Sequence, residues 1–196
     1  NNFAWGYDSM SAAYPAKINF EANVLDWYNY TGKKVDIDQI IYFNNEMKLT
    51  DIYPNSDNEF LKYLFKNKKT NAIRYLMFAK KCEGFNAFNN ENSWERAEES
   101  QRRASGKFET ELVTAYTNEK DQFLKRKYAF QCIRLGFYNS NTDLIRSIFA
   151  EEFQNSKKDY LYYWSLYFHC FTSEATGNYN DVADIFANSQ EKAFAS

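Results

Sequence analysis

Two stretches of this chain repeat one another. Ser140-Asn-Thr-Asp-Leu-Ile-Arg-Ser-Ile-Phe149 and Gly177-Asn-Tyr-Asn-Asp-Val-Ala-Asp-Ile-Phe186 share an Asn after a turn, an apolar residue at the sixth position and an Ile-Phe pair. The preceding segments match at a slightly shorter offset, Tyr128-Ala-Phe130 against Tyr162-Tyr-Trp164 and Phe137 against Phe171. Before the turn, Leu124, Tyr128, Cys132 and Leu135 follow a helical period, with Ala129 and Gly136 beside them. After it, Leu144, Ile145, Ile148, Phe149 and Phe153 form a second apolar stripe. Asn139-Ser-Asn141 is too short a connection for anything but antiparallel neighbours, and Asn141 is placed to cap the second helix. The unit is therefore a helical hairpin, and it occurs at least twice.

A period in the mid-thirties of residues is characteristic of helical repeats. Gly177-Asn-Tyr179 and Phe186 resemble the Gly-x-Tyr turn and later aromatic of the tetratricopeptide repeat. The upstream copy departs from it, with Ser140 for Gly, Thr142 for Tyr and Ile145 for the small residue. The predicted fold is all-α, with antiparallel helical hairpins stacked as a tetratricopeptide-like α-solenoid. An extended aromatic arm is expected over residues 1–15 and a helical-repeat domain over 16–196, its clearest repeats at 122–155 and 158–188. Ser189–Ser196 reads as a cap and the opening of another helix, so the native chain is expected to continue.

Earlier segments follow the same logic. Helices are predicted over Ala16–Tyr28, ended by Thr31-Gly32, and over a short stretch from Val35 or Asp36 carrying Ile37, Ile40, Ile41 and Phe43. Lys48–Ser56 is predicted as a loop around Pro54. Asp57 is predicted to cap a helix carrying Phe60, Leu61, Leu64 and Phe65. Asn67–Thr70 is a polar turn and Asn71–Glu83 the partner helix, with Gly84–Asn92 a loop. Ser93 is predicted to cap a charged helix with Glu95, Glu99 and Arg103 four apart, broken at Ser105-Gly106 before a further helix, Phe108–Tyr116.

Composition narrows the function classes. The 196 residues suit one domain or one and a half, and 44% hydrophobic residues can bury a core. With six glycines and two prolines, long helices are favoured over many-turned sheets. Eighteen Phe and sixteen Tyr are suited to filling gaps between helix layers. Lys and Arg number 24 against 26 Asp and Glu, so no basic excess favours a nucleic-acid partner. The longest apolar run, Tyr160–Phe171, falls short of the roughly 20 residues of a bilayer span. No transmembrane segment is expected, and the mean hydropathy of −0.70 suits a soluble chain.

No constellation of catalytic groups stands out. There is no Gly-rich phosphate loop and no metal-ligand spacing, and Cys82, Cys132 and Cys170 are too scattered to pair in a motif. The single histidine, His169, lies in an apolar helix and is read as packed. No catalytic residue, metal or cofactor is expected. Transferring tetratricopeptide geometry, the first helix of each hairpin lines a concave groove. Lys127, Phe130, Arg134 and Tyr138 would face it from one unit, and Trp164, Phe168 and Phe171 from the next. The same aromatics also suit a core covered by flanking segments.

Three further pieces carry a broader resemblance: Trp27-Tyr-Asn-Tyr-Thr-Gly32, Tyr75–Glu83 and Phe123–Leu135. Together they resemble uncharacterised helical-repeat proteins of Bacteroidota bacteria, many of them exported or lipid-anchored. The resemblance implies a fold and a location at the periplasm or outer-membrane surface, with a cytoplasmic location left open; it implies no activity. The expected function is a non-catalytic scaffold binding a protein or peptide partner. Glycan binding through Tyr and Trp is the alternative, and an all-α hydrolase a more distant one.

Overall fold

A computed structural model describes residues 22–91, 99–170 and 172. The chain forms two compact units, Asn1–Glu91 and Asn92–Ser196. Every regular element among the described residues is helical, and no helix there is long and apolar enough to cross a membrane.

The described part of the first unit comprises α1 (Ala22–Tyr30), α2 (Ile37–Glu46), a single 3-10 turn (Leu49–Asp51), α3 (Glu59–Lys66) and α4 (Thr70–Glu91). Its core is built on Trp27, 1% exposed, whose ring lies 5.5 Å from Phe60 and 5.8 Å from Tyr75. Phe43 meets Phe60 edge-on at 5.5 Å. Offset and edge-on contacts of this kind suit the aromatic quadrupole, which explains how so aromatic a sequence packs. Gly32 ends α1 in the left-handed region at φ 66°, and the Lys33 amide reaches back to the Tyr28 carbonyl at 2.9 Å.

Asn58, not Asp57, caps α3. Its Oδ1 accepts from the Leu61 amide at 3.1 Å, while its Nδ2 donates to the Gln39 carbonyl at 2.8 Å. A carboxylate only accepts, so an aspartate cannot do both. A second correction concerns α4, which runs through Gly84 to Glu91 where a loop was expected. One glycine costs about 1 kcal/mol in a helix, and without a proline nothing forces the growing helix to stop.

The described part of the second unit comprises α5 (Glu99–Asn118), α6 (Gln122–Tyr138), α7 (Thr142–Ile148) and α8 (Tyr160–Cys170). A π-helical turn, Phe149–Phe153, extends α7. The predicted break at Ser105-Gly106 does not occur. Gly106 is exposed within α5, and Phe108 and Leu112, buried in the following turns, hold the helix to the core. Asp121 opens α6 by accepting from the Phe123 and Leu124 amides at 2.9 and 3.3 Å. α6 packs against α5, α7 and α8, and every residue from Lys127 to Gly136 is buried. It is the central rod of the described part of this unit, enclosed by its neighbours over those ten residues. Asn141 caps α7 as expected, its Oδ1 accepting from the Leu144 amide at 3.2 Å.

The α3–α4 and α6–α7 turns are built alike. Asn67, Lys68 and Lys69 donate to the carbonyls of Tyr63, Phe65 and Leu64; Asn139, Ser140 and Asn141 donate to those of Leu135, Phe137 and Gly136. The middle residue is left-handed in each, Lys68 at φ 53° and Ser140 at φ 58°. The sequences through them, Asn67-Lys-Lys-Thr-Asn-Ala-Ile-Arg74 and Asn139-Ser-Asn-Thr-Asp-Leu-Ile-Arg146, keep Asn, Thr, Ile and Arg in register.

Candidate functional site

Of the residues predicted to line a groove, four are inside the second unit. Lys127 is 1% exposed, and Phe130, Arg134 and Phe168 are also buried. Lys127 Nζ donates to the Tyr160 hydroxyl at 2.7 Å and lies 4.9 Å from the centre of the Phe123 ring. Phe168 sits 5.1 Å from Phe137 and 6.3 Å from Phe130. Lys127, Phe130 and Phe168 meet in the seam between α6 and α8. Tyr138 and Trp164 are half-buried; Tyr138 packs edge-on against Phe137, and Trp164 against Tyr167 of its own helix. Phe171 lies outside the described residues.

His169 stacks on Phe149 at 4.3 Å, the packed role expected of it. Cys82 and Cys132 are buried free thiols and Cys170 is half-buried. Among the described residues no group of His, Cys, Asp and Glu is arranged to hold a metal ion.

A dense polar cluster surrounds the π-helical turn, and sequence reasoning did not anticipate it. The Tyr116 hydroxyl of α5 donates to Glu152 Oε1 at 2.9 Å. Lys125 Nζ of α6 lies 2.9 Å from the same oxygen and 3.5 Å from Glu151 Oε1. Arg126 spans the next step, donating to the Glu152 carbonyl at 3.2 Å, the Lys157 carbonyl at 2.9 Å and Asp159 Oδ1 at 2.8 Å. Its guanidinium lies 4.7 Å from the centre of the Phe153 ring. Asp159 in turn accepts from the Tyr162 amide at 3.0 Å in the first turn of α8.

The π-helical turn explains the assembly. Its wider ring redirects the end of α7, so that Glu151 and Glu152 meet the Lys125-Arg126 pair. Burial, then the hydrogen bond and charge of Glu152, push the Tyr116 hydroxyl far above the ordinary tyrosine range. The hydrogen bond to Glu152 pushes the Lys125 ammonium up as well, against a smaller opposing effect of burial. At neutral pH Tyr116 is therefore a protonated donor and Lys125 a charged one; both act as ties between helices. The middle of α5 is tied similarly: Glu109 accepts from Asn139 Nδ2 at 2.8 Å and Asn141 Nδ2 at 2.7 Å. The partners in these ties, such as Tyr116 with Glu152 and Arg126 with Asp159, lie too far apart in the chain to be matched by spacing.

The accessible apolar side chains lie elsewhere. Among the described residues, Leu25, Tyr42, Leu49, Tyr53 and Met77, all in the first unit, are the large hydrophobic residues most open to solvent; Tyr42 is 53% exposed and Tyr53 47%. No family model, curated protein or solved structure matches the chain.

Proposed function

We propose that the chain is part of a non-catalytic interaction scaffold of helical repeats, binding a protein or peptide partner within a bacterial cell-envelope or surface assembly. The observation that carries this reading is the reuse of one turn, with one hydrogen-bonding pattern and one Asn-x-x-Thr-x-x-Ile-Arg signature, in the α3–α4 and α6–α7 hairpins. Stacked modules of a common design form the extended surfaces through which solenoids bind partners. The buried α6–α8 seam supports a structural role for the aromatic stripe there. The exposed apolar residues of the first unit supply contact surface of the kind protein partners cover. The envelope location rests on the resemblance to exported helical-repeat proteins.

Glycan binding is a second reading, favoured by Tyr42 and Tyr53, whose exposed rings have exposed Asn45 and Asn55 nearby in sequence. One experiment separates the two. The full chain and its Tyr42→Ser/Tyr53→Ser variant, matched for helicity, are used as bait in envelope extracts and on a glycan array. A stoichiometric protein partner lost with the variant supports the scaffold. Glycan retention lost with the variant, without a protein partner, overturns it.

A further inference from the structure

The first unit gathers five lysines at one end. The up-and-down order of its helices brings the turn after α1 and the turn after α3 together, and Lys69 Nζ lies 5.3 Å from the centre of the Tyr30 ring, linking the two. Lys33 and Lys34 stand on the first turn, and Lys66, Lys68 and Lys69 on or beside the second. All five are exposed, and none has an ion-pair partner among the described residues. The nearby acidic side chains in sequence are Asp36 and Asp38, and the Asp36 carboxylate already accepts from the Asp38 amide.

Helix-end electrostatics accounts for part of this. Lys66 lies in the last turn of α3, where a cation is favoured by the free carbonyls. It does not account for the backbone of Lys33 and Lys68. Both are left-handed, at φ 61° and φ 53°, a conformation that Gly or Asn adopts more readily. Lysine stands at both positions although glycine or asparagine would adopt the conformation more readily. Strain retained at a surface site is an observation from which a use can be inferred.

We infer that this end of the first unit docks a short acidic peptide segment of a protein partner. The inference rests on the scaffold reading and names the chemistry of one partner element. A short segment fits better than a long polyanion: the chain as a whole carries a net charge of −2, so beyond the lysines its remainder is acidic and repels an extended phosphate backbone or an anionic bilayer. An extended peptide covers about 3.3 Å per residue, so a handful of carboxylates suffices to cross two adjacent turns.

The test is fluorescence anisotropy of a labelled oligoglutamate peptide with the full chain, in low and in physiological salt. Binding is expected that weakens with salt and falls at least tenfold in Lys33→Gly/Lys68→Gly, while that variant melts at the same or a higher temperature. A Lys34→Ala/Lys66→Ala variant, which leaves the left-handed positions alone, is expected to weaken binding too. No binding in low salt, or equal binding by the parent and both variants, overturns the docking surface. Tighter binding of a single-stranded oligonucleotide, or of phosphatidylserine vesicles, overturns the choice of a peptide. Partner capture that depends on Tyr42 and Tyr53 is a separate readout, so failure here and failure of the scaffold are distinguishable.

Discussion

The Tyr116 hydroxyl and Glu152 Oε1, 2.9 Å apart, join α5 to the π-helical turn, and Lys125 shares that oxygen. A hydrogen bond to a charged acceptor contributes about 1.5–3 kcal/mol. Tyr116→Phe keeps the buried ring and removes only the donor. Because Lys125 still pairs with Glu152, we expect a loss near the lower end, about 1.5 kcal/mol, in urea unfolding. A Tyr116→Phe protein as stable as the parent would show that the tie is not stabilising.

The same cluster sets an alkaline limit. Tyr116 and Lys125 are both raised in the folded state above their ordinary values of 10.0 and 10.5. Groups raised in this way stabilise fully below their unfolded values. Their contribution fades as pH climbs, because the unfolded chain releases those protons first. Stability is therefore expected to fall from about pH 10 upward. Glu152→Gln should flatten part of that fall: burial still raises Tyr116, but the charge that adds to it and that raises Lys125 is gone. Thermal melts across the alkaline range, with tyrosinate absorption recorded in parallel, check this; an unchanged alkaline profile in Glu152→Gln would contradict it.

Two helical glycines should respond oppositely to alanine. A Cβ at Gly106 meets nothing within 4 Å, so Gly106→Ala is expected to stabilise by about 0.5–1 kcal/mol through backbone entropy alone. At Gly136 a Cβ would sit 3.2 Å from Ile145 Cγ1 and 3.4 Å from the Asn141 carbonyl oxygen. Ile145 is buried and the carbonyl belongs to the turn, so neither yields freely. We expect Gly136→Ala to destabilise by about 1 kcal/mol despite its better helix propensity. Denaturant midpoints of the two variants give the comparison, and a stabilised Gly136→Ala would disprove close α6–α7 packing.

Asn58 and Asp57 form a contrast at the start of α3. Asn58→Ala removes a cap and a donor to the Gln39 carbonyl, an expected loss of about 2 kcal/mol. Asp57→Ala removes only an exposed carboxylate 4.0 Å from Lys62 and should leave stability essentially unchanged. Asn58→Asp, which keeps the acceptor and loses the donor, should fall between them. Chemical unfolding of the three variants tests the order.

Lys68→Gly is expected to raise stability by about 1 kcal/mol, because glycine adopts the left-handed conformation at φ 53° without a Cβ clash. Ser140→Gly, at the equivalent place in the α6–α7 turn, should behave alike. Melting temperatures of the two variants read this directly; destabilisation of both would show that the turn depends on its side chains.

Local signals in the chain reached far. The period of Leu124, Tyr128, Cys132 and Leu135 located α6, Asn141 marked one helix start and the Val35-Asp36 pair bracketed another, because caps and apolar stripes act over a few residues. Glycines at 84 and 106 misled for the same reason. Their intrinsic preference is a weak local effect, and α4 and α5 run through both. Nor could periodicity separate groove from core for Lys127 and Arg134. A charged side chain reads as solvent-facing until a partner such as the Tyr160 hydroxyl, 33 residues away, is brought to it.

The sequence by itself determined helices as the regular elements, the short polar turns at Asn67–Thr70 and Asn139–Asn141 and the Asn141 cap, since these depend on hydrogen bonds and apolar spacing within a few residues. Only the tertiary structure decided that α6 is buried on every side, that Glu152 is shared by Tyr116 and Lys125, and that lysines of two separate turns converge at one end of the first unit. Those outcomes depend on contacts between groups distant in the chain, whose energies exist only once the helices have packed.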